Sequence, residues 1–393
     1  MSPPNATTTT LRPKDLAAVR DAVLDTPGKI AVSGAGTAAG WAGTLRPVDA
    51  VLDTTALTGI VAHNPGDMTV SVLAGTPMRA LTAELAEHRQ HVSFDAARVA
   101  DGATVGGLVA TADAGPAALV FGSLRDLVIG TTVVLADGTV ARSGGHVIKN
   151  VAGYDLAKLL HGSYGALAVL VEVVLRLHPV PQRAATVVVP CPLAEAAELA
   201  ARLFGSQLEP AAVEWVSGEP GTLLVRVEGT AEAVPARVER LRELLGAAAE
   251  LDEWDSRRNL SNESPTRRDG DPWDRHAALV RGTPDDAVLR IGVRPSRLPR
   301  VLDALPARGV AAGLGTGVAT VSLPADPAAV TQAHAAVAAA GGTSVLRARP
   351  AGLDAPAWGP APSAVAVLRA VKTAHDPDRR LGPGRFDPWM DQQ

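Results

Sequence analysis

The stretch GGHVIKNVAGYDLAKLLHGSYGALAVLVEVVLRLHP, Gly144 to Pro179, divides the chain in two. Its later part, Leu167 to Leu177, is a nearly continuous apolar run that follows Gly162-Ser163-Tyr164-Gly165 and ends at His178-Pro179, so it reads as one long strand. The most apolar piece, Ala166 to Leu175, contains Glu172 and is far shorter than the roughly 20 residues a membrane span needs. Directly beyond it, Pro179 to Arg183 (PVPQR) reads as a linker. The chain's 393 residues exceed one compact core, since domains usually run to roughly 100–200 residues.

Composition narrows the function classes. Hydrophobic residues make up 47% and charged residues 20%, with 38 Gly and 30 Pro, which describes a globular protein rich in turns. Lys plus Arg is 37 against 41 Asp plus Glu, and no basic stripe with interleaved aromatics occurs, which argues against nucleic-acid binding. Cys191 stands alone, so a disulfide, a CxxC pair and a Cys-held iron–sulfur cluster are excluded within this chain. The opening MSPPNATTTTL has neither the basic nor the apolar region of a signal peptide, and the expected location is the cytoplasm.

Before the linker, short strands alternate with helices. Pro13 opens a helix with Leu16, Val19, Val23 and Leu24 on one face, and Lys29 to Val32 forms a strand ending in SGAGTAAG, Ser33 to Gly40. Strands follow at Ala50 to Leu52 and Met68 to Leu73, and Pro77 opens a helix carrying Met78, Leu81 and Leu85 on one face. Thr131 to Leu135 and Thr139 to Arg142 form a hairpin on a primed Asp137-Gly138 turn. After the linker, residues 186–349 alternate strands and helices, which predicts an antiparallel sheet with helices on one face. The spacing leaves Asp252 to Asp274 as a polar loop and predicts a last helix from Ala364 to Ala374.

Three glycine-rich segments could accept a ligand against backbone. In the first, Gly34, Gly36 and Gly40 follow a strand and leave N–H groups free for an anion; a plain turn explains them about as well. The second, Asp101 to Gly107, lets a flat or phosphorylated ligand approach, or lets a helix pack closely on a neighbour. The third, Phe121 to Asp126, contains Arg125 and Asp126, a pair that usually forms a solvated ion pair.

These segments and Gly144 to Pro179, in this order, resemble the PCMH-type FAD-binding domain of the vanillyl-alcohol oxidase superfamily, and within it the FAD-binding subunits of glycolate oxidases. Lys149 to Leu156 and Gly162 to Gly165 match that hallmark, Ala168 stands where most members have Gly, and Asp376-Pro377 with Pro383-Gly384-Arg385 is similar to the C-terminal signature. Gly382 replaces its Asn. The resemblance implies an α+β fold: a two-part FAD-binding domain (1–180), a ferredoxin-like antiparallel cap (186–349) and a C-terminal segment (363–393) returning to the first domain. FAD would lie against Ser33, Gly34, Ala35, Gly36 and Thr37, and against Gly102, Ala103, Thr104, Val105, Gly106 and Gly107. Gly115, Gly122, Arg125, Gly165 and Val169 would complete the site. Some relatives attach flavin through a His in the first loop, where Thr37 and Ala38 stand here, so FAD is expected to be noncovalent.

The chemistry so implied is hydride removal from a small 2-hydroxy acid, which needs a cation for the carboxylate and a base for the hydroxyl. Arg290 and Arg385 are the candidate cations, and Tyr154, His276, His161 and His375 the candidate bases. No metal is expected, because the paired histidines of metal-assisted relatives are absent. The alternative is a noncatalytic FAD-binding assembly or electron-relay subunit. Either role implies a second flavoprotein and an iron–sulfur subunit as partners, with Trp254 and Trp273 as possible interface anchors in the polar loop.

Overall fold

Strand alternation and glycine-closed turns build two bodies joined at residues 180–182. The computed structural model describes residues 8–147, 153–246, 250–255 and 271–390. The N-terminal body begins with β1 (Thr9–Leu11), α1 (Leu16–Asp25), β2 (Ile30–Ser33) and β3 (Ala50–Asp53), whose strands form a parallel sheet in the order β1-β3-β2. Next come β4 (Ile60–Asn64), β5 (Thr69–Leu73), α2 (Met78–Ala86), β6 (Gln90–His91) and the short helices α3 (Val105–Ala110), α4 (Ala118–Phe121) and α5 (Leu124–Leu127). The hairpin β7 (Val128–Val134) and β8 (Val140–Gly144), α6 (Leu156–Leu160), β9 (Val169–Arg176) and β10 (His178–Pro179) complete the body. Here β9 lies at the centre of an antiparallel sheet ordered β4-β5-β9-β7-β8. Val169 and Val171 are buried toward β2 and α1, and Leu170, Val173 and Leu175 toward α2 and α3, because the alternation changes phase at a register shift against β7, where Glu172 faces Thr132 and Leu170 faces Val133.

The second body repeats one plan twice. Strand β11 (Arg183–Pro190), α7 (Leu193–Phe204), β12 (Ala212–Val216), β13 (Thr222–Gly229), α8 (Ala233–Leu245) and β14 (Glu250–Asp255) give the strand order β14-β11-β13-β12. After α9 (Pro272–Arg281), the series β15 (Ala287–Gly292), α10 (Leu298–Asp303), β16 (Gly309–Gly313), β17 (Val318–Leu323), α11 (Pro327–Ala339) and β18 (Thr343–Ala348) gives β16-β17-β15-β18. Each is a βαββαβ ferredoxin-like unit, and antiparallel pairing of β12 with β16 fuses them into one eight-stranded sheet. One face packs Val213, Trp215, Val225, Leu289, Ile291 and Leu346 into the core beneath the helices. The intervening Glu214, Arg226, Arg290 and Arg347 place charged side chains on the sheet between these core positions.

The last helix, α12 (Val365–His375), and residues 376–390 return to the N-terminal body. There Leu381 pairs with Ile30 in a parallel bridge, Gly43 N–H donates to Arg385 C=O, and Arg46 N–H to Pro383 C=O. Gly382 has φ +55°, a left-handed conformation that suits Asn as well as Gly, so the departure from Asn leaves the backbone undisturbed.

Four local expectations are corrected. Only Gly138 of the hairpin loop has positive φ (+81°); its N–H bonds Leu135 C=O while Leu135 N–H bonds Thr139 C=O, a three-residue loop rather than a primed two-residue turn. Leu24 is 48% exposed, because α1 turns only Val19 and Val23 fully inward. The stretch Asp252 to Asp274 is not all loop: β14 and α9 occupy its two ends, while residues 256–270 lie outside the described ones. Trp273 belongs to α9 rather than to a loop and is half-buried, donating from Nε1 to Thr186 Oγ1 at 2.9 Å; the Trp254 side chain lies outside the described residues. No described helix is long and apolar enough to cross a membrane.

Candidate functional site

Strand β2 delivers the first glycine loop to the point where three other segments meet. A Cβ on Gly34 would lie 2.5 Å from Thr104 Oγ1, and Arg98 Nε donates to Thr37 C=O at 3.0 Å, so residues 33–37 and 102–107 adjoin. Gly165, at φ +71°, would place a Cβ 3.2 Å from Val32 Cβ. Gly36 and Gly102 have φ of +76° and +84°, and a Cβ on either would meet nothing within 4 Å, which leaves an open cradle. Ala39 and Trp41 N–H turn back onto Gly36 and Ala38 C=O, which rounds the loop. In the second segment, by contrast, Gly106 N–H is spent on Ala74 C=O (2.7 Å) and Gly107 N–H on Thr104 Oγ1 (3.2 Å). Gly102 and Ala103 N–H are likewise spent, on Val99 and Arg98 C=O at 3.2 Å each, so what this segment presents to the first loop is the open side of Gly102 and the Thr104 hydroxyl. Gly115 lies against Asp95, Val169 starts β9 in the core, and Gly122 closes α4 at φ +74° beside Asp126, leaving Arg125 exposed on α5.

Charged groups gather where the two bodies touch. Asp113, 1% exposed, accepts from Arg347 Nη1 at 2.8 Å and lies 3.9 Å from Arg98 Nη1 and from Arg290 Nη1. Ala112 C=O accepts from Arg290 Nη1 at 3.4 Å and from Arg347 Nη2 at 3.5 Å. The guanidinium carbons of Arg98 and Arg347 each lie 3.7 Å from the centroid of the Trp41 ring. Around this cluster Tyr164, at φ +51°, meets Trp358 and Phe386 edge-on, and burial pushes its phenol upward. Sequence reasoning missed Trp41, Arg98, Asp113, Tyr164 and Arg347. Each alone resembles an ordinary surface or core residue, and only the fold brings them together.

The expected catalytic residues fare unequally. Arg290 is in the cluster. His161, at the end of α6, is within electrostatic reach of it, and its buried Nε2 has no hydrogen-bond partner. Arg385 is committed elsewhere: Nη1 donates to Ala39, Trp41 and Gly43 C=O, tying the C-terminal segment to the first loop. His276 Nε2 pairs with Glu214 Oε2 at 3.2 Å inside the sheet body, and burial pushes the Glu214 carboxyl up. Tyr154 is 92% exposed and stands apart from the cluster, and His375 ends α12. A cavity of about 680 Å³ lies between α6, α12 and the C-terminal segment and is lined in part by His161 and Phe386; the two glycine segments do not line it.

Two imidazoles make the fold acid-sensitive. Burial, aided by Arg290 and Arg125, pushes His161 down to about 4; burial, aided by Arg176 and His91, does the same for His178. Both fall below the ordinary 6.5, so between those values the unfolded chain binds more protons and stability falls as pH falls. We expect a lower urea midpoint at about pH 5 than at about pH 7, and a smaller difference in His161→Asn. An unchanged difference in that variant would exclude His161 as a source.

Comparison with known proteins agrees with this geometry. Residues 8–144 match the family model of an FAD binding domain. Over 202 residues the chain is 36% identical to glycolate oxidase subunit GlcE of Escherichia coli (strain K12), covering 51% of this chain and 56% of that protein. It is 35% identical over 144 residues to a D-lactate dehydrogenase of Archaeoglobus fulgidus, covering 37% and 32% of the two chains. To glycolate oxidase subunit GlcD of Bacillus subtilis (strain 168) it is 37% identical over 123 residues, covering 31% and 26%. The chain thus spans little more than half of the first relative's length and about a third or less of the other two. In fold it is similar to an alkyldihydroxyacetonephosphate synthase structure, with a TM-score of 0.66 at 16% identity over 95% of this chain and 75% of that one. Residues 8–144, which contain both glycine segments, are therefore an FAD binding domain, and FAD is its cofactor.

Proposed function

We propose that this chain is an FAD-dependent oxidoreductase subunit that oxidises a small 2-hydroxy acid such as glycolate or D-lactate. The observation that carries the reading is the gathering of Arg290 and Arg347 at Asp113, with the partnerless His161 Nε2 within electrostatic reach of Arg290, beside the FAD binding domain. Bound FAD supplies the hydride acceptor. Arg290 and Arg347 hold the substrate carboxylate, and His161, kept neutral by burial, takes the hydroxyl proton at Nε2. Tyr164, with Trp358 and Phe386, excludes water from that side. Ser33, Gly34, Ala35, Gly36 and Thr37, with Gly102, Ala103 and Thr104, receive the pyrophosphate, and the domains divide as 1–180, 186–349 and 363–393.

FAD is held without a covalent bond: Thr37 and Ala38 offer no attachment, and Cys191 is buried in the core under the helix face of the sheet. Acid precipitation should therefore release all the flavin. The chain hands its electrons to a cytoplasmic assembly with a second flavoprotein and an iron–sulfur subunit, since one cysteine cannot hold a cluster. Support comes from relatives that are themselves named as oxidase subunits. A second reading, an electron-relay subunit without its own turnover, is favoured by Asp113, which already occupies the guanidinium cluster. Anaerobic mixing of the purified flavoprotein with glycolate or D-lactate decides: flavin bleaching with either acid supports the oxidoreductase, and no bleaching with both leaves the relay.

A further inference from the structure

The buried junction of the two bodies carries an unbalanced charge. Three guanidinium groups, Arg98, Arg290 and Arg347, meet the single carboxylate of Asp113, which leaves two positive charges. Arg98 is 7% exposed and Arg347 2%, yet Arg98 Nη1 and Arg347 Nε have no hydrogen-bond partner, nor has Asp113 Oδ2. Other charges nearby do not cancel the excess: Glu214 faces Arg290 but is paired with His276, and Asp101 faces Arg98 but is paired with Arg281. Leaving buried guanidinium donors unpaired is costly, and an oxyanion satisfies them with short charge-assisted bonds. Arg98 and Asp113 belong to the N-terminal body, whereas Arg290 and Arg347 stand on β15 and β18 of the sheet body.

We propose that Arg98, Arg290 and Arg347 form an oxyanion-binding site that exists only when the two bodies are docked, with Asp113 as its built-in counter-ion. The bound oxyanion therefore fastens cap to FAD domain. Its source is either the carboxylate of a small acid or a phosphoryl group of FAD; Arg98 reaches both the Asp113 cluster and Thr37 C=O of the first glycine loop. Asp113 holds the guanidinium groups together without a ligand and competes with one when it arrives. The burial that moves Arg98 and Arg290 down to about 10, each with Arg347 contributing, reflects the same crowding of positive charge. Only the naming of a 2-hydroxy acid as the small acid rests on the proposed function.

Thermal unfolding of the full-length, FAD-loaded protein tests the site, with oxalate as probe against chloride at matched ionic strength. A small carboxylate in the site raises the melting temperature by a few degrees as oxalate saturates. Arg347→Gln and Arg98→Gln then lose that shift while keeping their flavin, and Asp113→Asn binds oxalate about tenfold tighter because the competing charge is gone. If the oxyanion is a phosphoryl group of FAD, oxalate has no effect and either Gln variant loses flavin by about tenfold or more. The wild-type titration needs no variant, and Arg98→Gln serves if Arg347→Gln does not accumulate. A flat oxalate response together with full flavin content in the Gln variants overturns the proposal. Oxalate binding in a protein whose flavin no hydroxy acid reduces would sink the oxidoreductase reading and leave this site standing.

Discussion

Gly165→Val is expected to yield a folded protein whose affinity for FAD is weakened about 10- to 100-fold, because a β-branched residue at φ +71° costs on the order of 1–3 kcal/mol. The new Cβ would lie 3.2 Å from Val32 Cβ, and Val32 leads directly into the Ser33 to Thr37 loop. Relief of that contact therefore moves the cradle itself. The turn around Gly165, closed by Ala166 N–H on Ser163 C=O at 2.9 Å, has no slack to absorb the shift. The ratio of flavin to protein absorbance after gel filtration gives the answer, and full occupancy in the variant would show that Gly165 only shapes a turn. Gly106→Val should behave differently. Its Cβ would meet Ala74 Cβ at 2.8 Å and Ala74 C=O at 3.0 Å, so the penalty falls on packing of the N-terminal body and appears in melting temperature as well as flavin content.

Replacing Lys372 by Met should remove about 3–5 kcal/mol of stability, since it leaves Asp376 as a buried charge without its counter-ion. Asp376 is fully buried, and Lys372 Nζ donates to its Oδ2 at 2.5 Å, to Ala166 C=O at 2.7 Å and to Leu381 C=O at 2.9 Å. The ammonium thus joins α12, the turn after Gly165 and Leu381, which bridges to Ile30. Asp376 also accepts from Arg380 N–H and Leu381 N–H, so its carboxylate organises the whole returning segment. Urea denaturation would read the loss, and the double variant Lys372→Met/Asp376→Asn should recover part of it by removing the orphaned charge. A single variant that loses less than about 1 kcal/mol would show that the pair is no more than a surface-like contact.

Period and punctuation made the elements legible. Met78, Leu81 and Leu85 are buried on α2 as their spacing predicts, and Leu167 to Leu177 contains β9. Strand β16, Gly-Val-Ala-Ala-Gly, was not legible because its small residues carry no β signal; pairing on both sides makes it a strand. The doubled βαββαβ plan left no visible repeat, since strand order depends on pairing and not on composition. The loop after β2 could be read from its glycines, of which Gly36 takes up a positive φ of +76°. The guanidinium cluster could not: Arg98, Asp113 and Arg347 lie up to 249 positions apart, and nothing local marks any of them. Arg385 and His276, a candidate cation and a candidate base by sequence, each spend their polarity on their own neighbourhood.

The bridge from Leu381 to Ile30 has a consequence for the order of events during synthesis. Strand β2 gains its second neighbour, and the first loop its Arg385 ties, from residues made some 350 positions later. A nascent chain can therefore assemble the five-stranded sheet and the second body while the loop after β2 still lacks one wall. If that loop holds FAD, a ribosome-stalled chain ending near residue 350, before α12 and the segment beyond it are made, is expected to emerge largely folded and without flavin.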